Sequence, residues 1–367
     1  MIGLLEIRRR KVQFALIAVV VTLIAYLVLM INGLGIGLNQ LAGSALRNFN
    51  ADAIAYSDVA DLSVIRSELA QDTVARIQAT QGVNASAPVG YVAANVRQAS
   101  GKIKSAAFLG YDPGSIAEPK VTAGQALTAA DTRGLLADKS FLKATGLKVG
   151  DTASVNLRLT TEQFTIVGEI DQGAFFFQPA VYILRDTWRE LKYGPPEPGQ
   201  PAASIVLLKG KGLTSLKGDG FAAVSKDVAF ANIEGVAGQQ STVSSLQAFG
   251  YLIGALVIGV FFYVLTLQKI GQIGVLKALG ASGFYVFRQV LAQVLAISIV
   301  GVGIAVPLAW ATGKALGQLP QSVPIAFENS TFVVTSIALI VTGVVGALFS
   351  GKQVAGVDPI IALGQQQ

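Results

Sequence analysis

With no cysteine and no histidine, this 367-residue chain has few side chains left with which to do chemistry. Without thiols there is no disulfide, no sulfur nucleophile and no cysteine-based metal site. Without imidazole, the commonest neutral metal ligand and the usual proton shuttle are missing. What remains is one soft donor, Met30, the only methionine beyond Met1. It stands near the end of the first apolar run, "KVQFALIAVVVTLIAYLVLMING" (11–33), with Tyr26 four residues earlier on the same helical face. A membrane methionine ordinarily fills space, so packing is the competing role. Further along, Glu68 offers a carboxylate, and Arg47 and Arg66 offer guanidinium groups that pair with carboxylates. Each of these three also reads as a solvated charge.

No nucleotide site is visible. A P-loop needs a glycine-rich turn whose amides cradle phosphate, followed by Lys and Ser/Thr. "KGKGLTS" (209–215) and "TGKALG" (312–317) lack that spacing. The chain is therefore not expected to be the hydrolase of any ATP-driven system.

These residues are positioned by a membrane protein. Hydrophobic residues make up 52% of the chain and charged ones only 14%, against about a quarter charged in a soluble domain. Four runs are long enough to span a bilayer: 12–32, 246–267, 284–311 and 332–350. The first follows a basic stretch but is too long for a signal-peptide core, so it reads as a retained helix. The net charge of +6 does not indicate nucleic acid, because residues 47–234 hold 19 basic and 19 acidic side chains. The surplus lies beside the apolar runs, in "RRRK" (8–11) and at Lys269, Lys277 and Arg288. That pattern places the N-terminus, the 268–288 connection and the C-terminus in the cytoplasm of a multi-pass cell-membrane protein.

The expected fold class is thus an α-helical membrane protein with four transmembrane helices plus an α+β extracytoplasmic domain between the first and second. The boundaries expected are 1–46 for the first helix with its flanks, 47–240 for the outer domain and 241–367 for the last three helices. Glycines at small-xxx-small spacing (Gly33 and Gly37, Gly250 and Gly254) allow close helix packing, within one subunit or across a dimer. In the outer domain, "SELAQDTVARIQATQGV" has helical spacing at Leu69, Val74 and Ile77 with a stop at Gly82. "APVGYVAANVRQ", "KIKSAAFLGY", "ASVNLRLTTEQFTIVGEI", "AVYILR" and "SIVLLKG" read as strands. "GPPEPGQPA" reads as a turn-rich connector.

The order of one helix, a large outer domain and three helices resembles the MacB-type, or FtsX-like, permeases of ATP-binding-cassette systems. "LKVGDTASV…FTIVGEI" (147–170) is similar to that family's outer strand motif. "LQKIGQIGVLKALGAS" (267–282) is similar to its cytoplasmic element, though without the usual initial acid, and "VDPIIALG" (357–364) to its closing motif. The N-terminal half, including "NFNADAIAYSDVADLSVIRSEL", is similar to the heme-exporter permeases within the family.

The resemblance implies MacB-type topology, a homodimer and two copies of a separate ABC ATPase that binds the ATP. It implies no intrinsic cofactor and no nucleic-acid partner. Heme would be the transported substrate, entering sideways from the bilayer, with its iron held by Met30 and Glu68. Tyr26 is the alternative ligand, and Arg47 and Arg66 are candidates for the propionates. Coupling to the ATPase would fall on the 268–283 element, at Gly274, Leu276, Lys277 and Gly280, whose apolar stripe suits a groove. Two alternatives stand beside heme export: export of a lipid or glycolipid, and FtsX-like signal transmission to an outer hydrolase.

Overall fold

The computed structural model describes residues 11–157, 160–268, 270–271, 274–275, 279–317 and 323–356, with backbone only for 286 and 349–356. It divides into two compact units, one of Met1–Gly37 with Gln240–Gln367 and one of Leu38–Gln239.

The first unit holds the membrane helices. Helix α1 (Lys11–Asn48), α6 (Val236–Leu267), α7 (Gly283–Gly317) and α8 (Asn329–Gly356) are each long and apolar enough to cross a bilayer. All four expected spans are present. The helices outrun the apolar segments, however: α1 continues past the apolar run to Asn48, and α6 begins at Val236, ahead of its own.

Close backbone approach holds this unit together. A Cβ on Gly250 would lie 2.9 Å from Val28, one on Gly254 3.2 Å from Ile24, and one on Gly35 2.7 Å from Val243. These contacts set α1 and α6 antiparallel. Gly259 and Gly346 bring α6 and α8 equally close, there parallel: a Cβ on Gly254 would lie 3.8 Å from Thr342, and one on Gly346 would strike the Ala255 carbonyl. Gly33 and Gly37 seat the extended segment 323–327: Ala326 N–H donates to the Gly33 carbonyl at 3.0 Å, and position 37 abuts the Pro324 carbonyl. Both small-residue pairs are therefore used within the subunit.

The second unit, between the first and second spans, is built on a mixed sheet. Its strands are β1 (Ala53–Ser57), β2 (Val83–Arg97), β3 (Ile103–Tyr111), β4 (Val121–Gly124), β5 (Gly134–Asp138) and β6 (Thr152–Leu157). They continue with β7 (Thr160–Ile170), β8 (Ala174–Phe175), β9 (Gln178–Leu184), β10 (Ile205–Gly210), β11 (Lys217–Gly218) and β12 (Phe221–Ser225). The order is β11-β12-β1-β10-β2-β3-β9-β5-β7-β4, with β6 joined to β2 and β7. The long β2 serves two lobes, pairing with β10 through its first half and with β3 through its second. Pairs β3–β9 and β5–β7 are parallel, the rest antiparallel.

Helices α2 (Gln71–Gln78), α3 (Lys139–Thr145), α4 (Arg185–Tyr193) and α5 (Lys226–Ala231) complete the α+β domain. Helix α2 begins later than its spacing implies, because Leu69 is drawn into a bridge with Ala203. Helix α4 buries Trp188 over Gly90 and Gly110, and a Cβ on Gly110 would come within 2.5 Å of the tryptophan. A Cβ on Gly90 would run into the Trp188 ring itself. Gly90→Ala should therefore destabilise this domain by about 1–3 kcal/mol, the usual cost of overpacking. Denaturant unfolding followed by tryptophan fluorescence checks it, Trp188 being one of two tryptophans with Trp310. An unshifted midpoint would mean the ring has room to move.

Candidate functional site

The sequence singles out Tyr26 and Met30, and the structure gives their surroundings. Both are half-buried and pack against the buried cluster of Ala25, Val28, Leu29, Val302, Ala305, Ala309 and Leu339. Tyr251 of α6, Phe327 and Phe332 lean on the same cluster, the two phenylalanines stacked with centroids 4.8 Å apart. Beside them Asn32, buried within an apolar span, donates to Thr335 of α8 at 2.7 Å. That bond removes the penalty of an unpaired amide in lipid and ties α1 to α8.

The Phe327 ring lies 2.5 Å from where a Cβ would stand on Gly33 and equally close to that of Gly313, so these two glycines share a level. One turn away Lys314 rests on the Trp310 ring at 5.2 Å, the kind of pair that anchors a helix at a membrane–water boundary. Met30 stands nearly one turn before Gly33 on α1.

Its direction is set by the helix. Val12, Leu16, Val19, Leu23 and Leu27 are all more than half exposed along one face of α1; Met30 falls at the next step of that spacing but is itself half-buried against the cluster. On α6, Leu246, Phe249, Leu252, Ile253, Leu256, Val260, Tyr263, Val264 and Leu267 are exposed, a broad apolar face. Tyr251 and Asn32 were not singled out from the sequence, although one asparagine inside an apolar run was a usable signal.

The remaining candidates lie in the other unit and are tied to separate partners. Glu68 accepts from the Tyr193 hydroxyl at 2.9 Å and stands 3.3 Å from Lys192 Nζ. Burial pulls the Lys192 pKa down while Glu68 opposes it, and burial with Glu68 pushes the Tyr193 phenol well up. Arg47 is exposed and lies over the Phe230 ring at 3.6 Å. Arg66 donates to the Ala60 carbonyl at 3.3 Å and sits 4.0 Å from Asp61.

Of the coupling residues, Gly274 is buried and Gly280 has φ +94°, a left-handed turn ahead of α7 that favours glycine. Ser282 Oγ accepts the Tyr285 N–H at 3.1 Å, capping α7. Leu276, Lys277, the basic residues 8–10 and the motif at 357–364 lie outside the described residues. "KGKGLTS" ends β10, and the Asp52 carboxylate accepts the Gly210 N–H at 2.9 Å, putting an anion where a P-loop would receive phosphate.

Comparison with known proteins agrees with this frame. Residues 244–359 match the family described as FtsX-like permease C-terminal. A protein of Staphylococcus haemolyticus named as a hemin transport system permease protein, HrtB, is 24% identical over 98% of this chain and 97% of its own length. The like-named protein of Staphylococcus epidermidis is 29% identical over 37% of this chain and 38% of its own length. Among solved structures, the periplasmic region of MacB from Actinobacillus actinomycetemcomitans covers 51% of this chain and 94% of its own, at 16% identity and a TM-score of 0.36. The chain thus carries an FtsX-like permease C-terminal region, residues 244–359, over the last three of its four candidate spans.

Proposed function

We propose that this chain is the permease of an ABC exporter that extrudes heme from the membrane. The observation that carries the proposal is the half-buried Met30 thioether beside the exposed apolar face of α1. A thioether there meets an apolar, iron-bearing ring arriving from lipid. The full-length likeness to the staphylococcal hemin transport permease supports the same substrate. Tyr26 and Tyr251 pack against the same buried cluster as Met30, and Glu68 is the opposing ligand in this reading once it releases Tyr193. Arg47 and Arg66 serve the propionates.

The exposed apolar faces of α1 and α6 suit a second copy of the chain, so the exporter is a permease homodimer with two ATPase subunits. The ATPases engage the 268–283 element, and their closure presses the two α1–α6 pairs together and expels the substrate outward. Heme is cargo here, and the ATP is bound and hydrolysed by the partner. The orientation that this cycle requires has both termini in the cytoplasm. A cysteine at exposed Ser215 should label from outside intact cells and one at exposed Ser282 should not. Labelling of Ser282 from outside would invert the topology. If lipid rather than heme stimulates the complex, the same apolar faces belong to a lipid exporter.

A further inference from the structure

We propose that residues 172–177 form a releasable splint across a built-in break in α1, closed in one state of the transport cycle and open in another. The helical geometry of α1 fails at one residue, Gly43 (φ −168°, ψ 34°). Just before the break, the carbonyls of Ala42 and Leu41 accept the N–H groups of Phe176 and Phe177, each at 2.9 Å. Just after it, Ser44 Oγ accepts the Ala174 N–H at 2.9 Å, and Asn48 Nδ2 donates to the Gln172 carbonyl at 3.0 Å. One short turn thus grips both sides of the break. Its root is fixed to the end of β5, where the buried Asp138 carboxylate accepts the N–H groups of Gln172 and Gly173 at 2.7 and 2.6 Å.

The grip is held under strain. Phe176 and Phe177 both take left-handed backbone angles, φ 49° and 59°, which bulky L-residues avoid. Burial does not explain both, because the Phe177 side chain remains 40% exposed. In an uninterrupted helix the Leu41 and Ala42 carbonyls would be bonded by the N–H groups of Ala45 and Leu46. Unlatching therefore trades two hydrogen bonds for two others and lets both phenylalanines relax. A strained latch with an equivalent alternative is what a two-state joint requires. Its place is the segment in which α1 enters the core of the inter-span domain through Ala42, Ala45, Leu46 and Phe49.

The inference rests on the transport reading, since the joint needs a cycle to act in. This chain has no cysteine of its own, so an introduced pair supplies its only thiols. A Leu41→Cys/Phe177→Cys pair, at backbones already joined by a hydrogen bond, is oxidised in the full-length permease–ATPase complex and hemin-stimulated ATP hydrolysis is measured. Locking the splint should lower turnover at least about tenfold, because one of two required states is removed, and reductant should restore it. Fully cross-linked complex working at the parent's rate would overturn the joint while leaving transport intact. A second variant, Phe177→Gly, keeps the N–H and removes the left-handed penalty at that residue. It should hold the latch closed longer and slow turnover about fivefold; unchanged turnover there also counts against the joint. A parent complex with no substrate-stimulated turnover would sink the transport reading and the splint with it.

Discussion

Gly274→Asp should abolish hemin-stimulated ATP hydrolysis by the complex, and heme efflux with it, while the permease stays folded. Gly274 is buried in the connection between α6 and α7, in the stretch whose apolar stripe is assigned to the ATPase groove. An aspartate there either desolvates a charge without a partner or forces the element out of its seat. Left buried and unpaired, the charge would cost about 3–5 kcal/mol, so the element moves out of its seat instead and the ATPase loses its contact. Gly274→Ala adds only a methyl and serves as the mild control. The measurement is stimulated ATPase activity of the reconstituted complex, with Trp188 fluorescence reporting that the inter-span domain is intact. Undiminished stimulation in the aspartate variant would move the ATPase contact to another part of the chain.

Met30→Leu is the second decisive change. Leucine and methionine have similar volumes and exchange for less than about 1.5 kcal/mol in packed sites, so a filling role predicts nearly normal export. An iron ligand predicts that Met30→Leu is almost as damaging as Met30→Ala, with an altered heme spectrum in both. Glu68→Gln keeps the size of its side chain but removes the anionic oxygen and the ion pair to Lys192, so it should perturb the iron as well. Tyr26→Phe separates the donors: a large loss there, with none at Met30 or Glu68, would make the phenol oxygen the ligand. Cells carrying Met30→Leu that tolerate toxic heme as the parent does would reduce Met30 to packing.

The sequence reading located the spans because each is a long apolar run, but it stopped short of the true helix ends. The tail of α1, "NQLAGSALRN", mixes small, polar and apolar residues and shows no span-like character. It is helical because Ala42, Ala45 and Leu46 bury themselves in the core of the inter-span domain, a tertiary reason that no window detects. Strands β2, β3 and β10 announced themselves by alternation or a compact apolar run. Strands β1 and β5 did not: every residue of "AIAYS" and "GLLAD" is buried on both faces, so the period of two disappears. The Asp138 cap and Gly146 stop of α3 were present in the sequence, yet seven residues are too few to show a helical period.

The site was legible to the same degree. Met30 stood out by rarity and Tyr26 by its four-residue offset, and both lie half-buried beside one cluster. Tyr251 sits more than 200 positions away and joins them only because Gly250 and Gly254 let α6 approach α1. The partners of Glu68 were equally hidden, since Lys192 and Tyr193 come from the end of α4. Distance along the chain, rather than ambiguity of residue type, is what concealed them.

The most direct test of the account is a hemin titration of the full-length protein in lipid nanodiscs, followed by visible absorption and compared with empty nanodiscs. Heme export through a Met30 site predicts a saturable component with a shifted Soret band, absent or displaced in Met30→Ala. A spectrum that matches empty nanodiscs at every hemin concentration, or one that saturates identically in Met30→Ala, would contradict it.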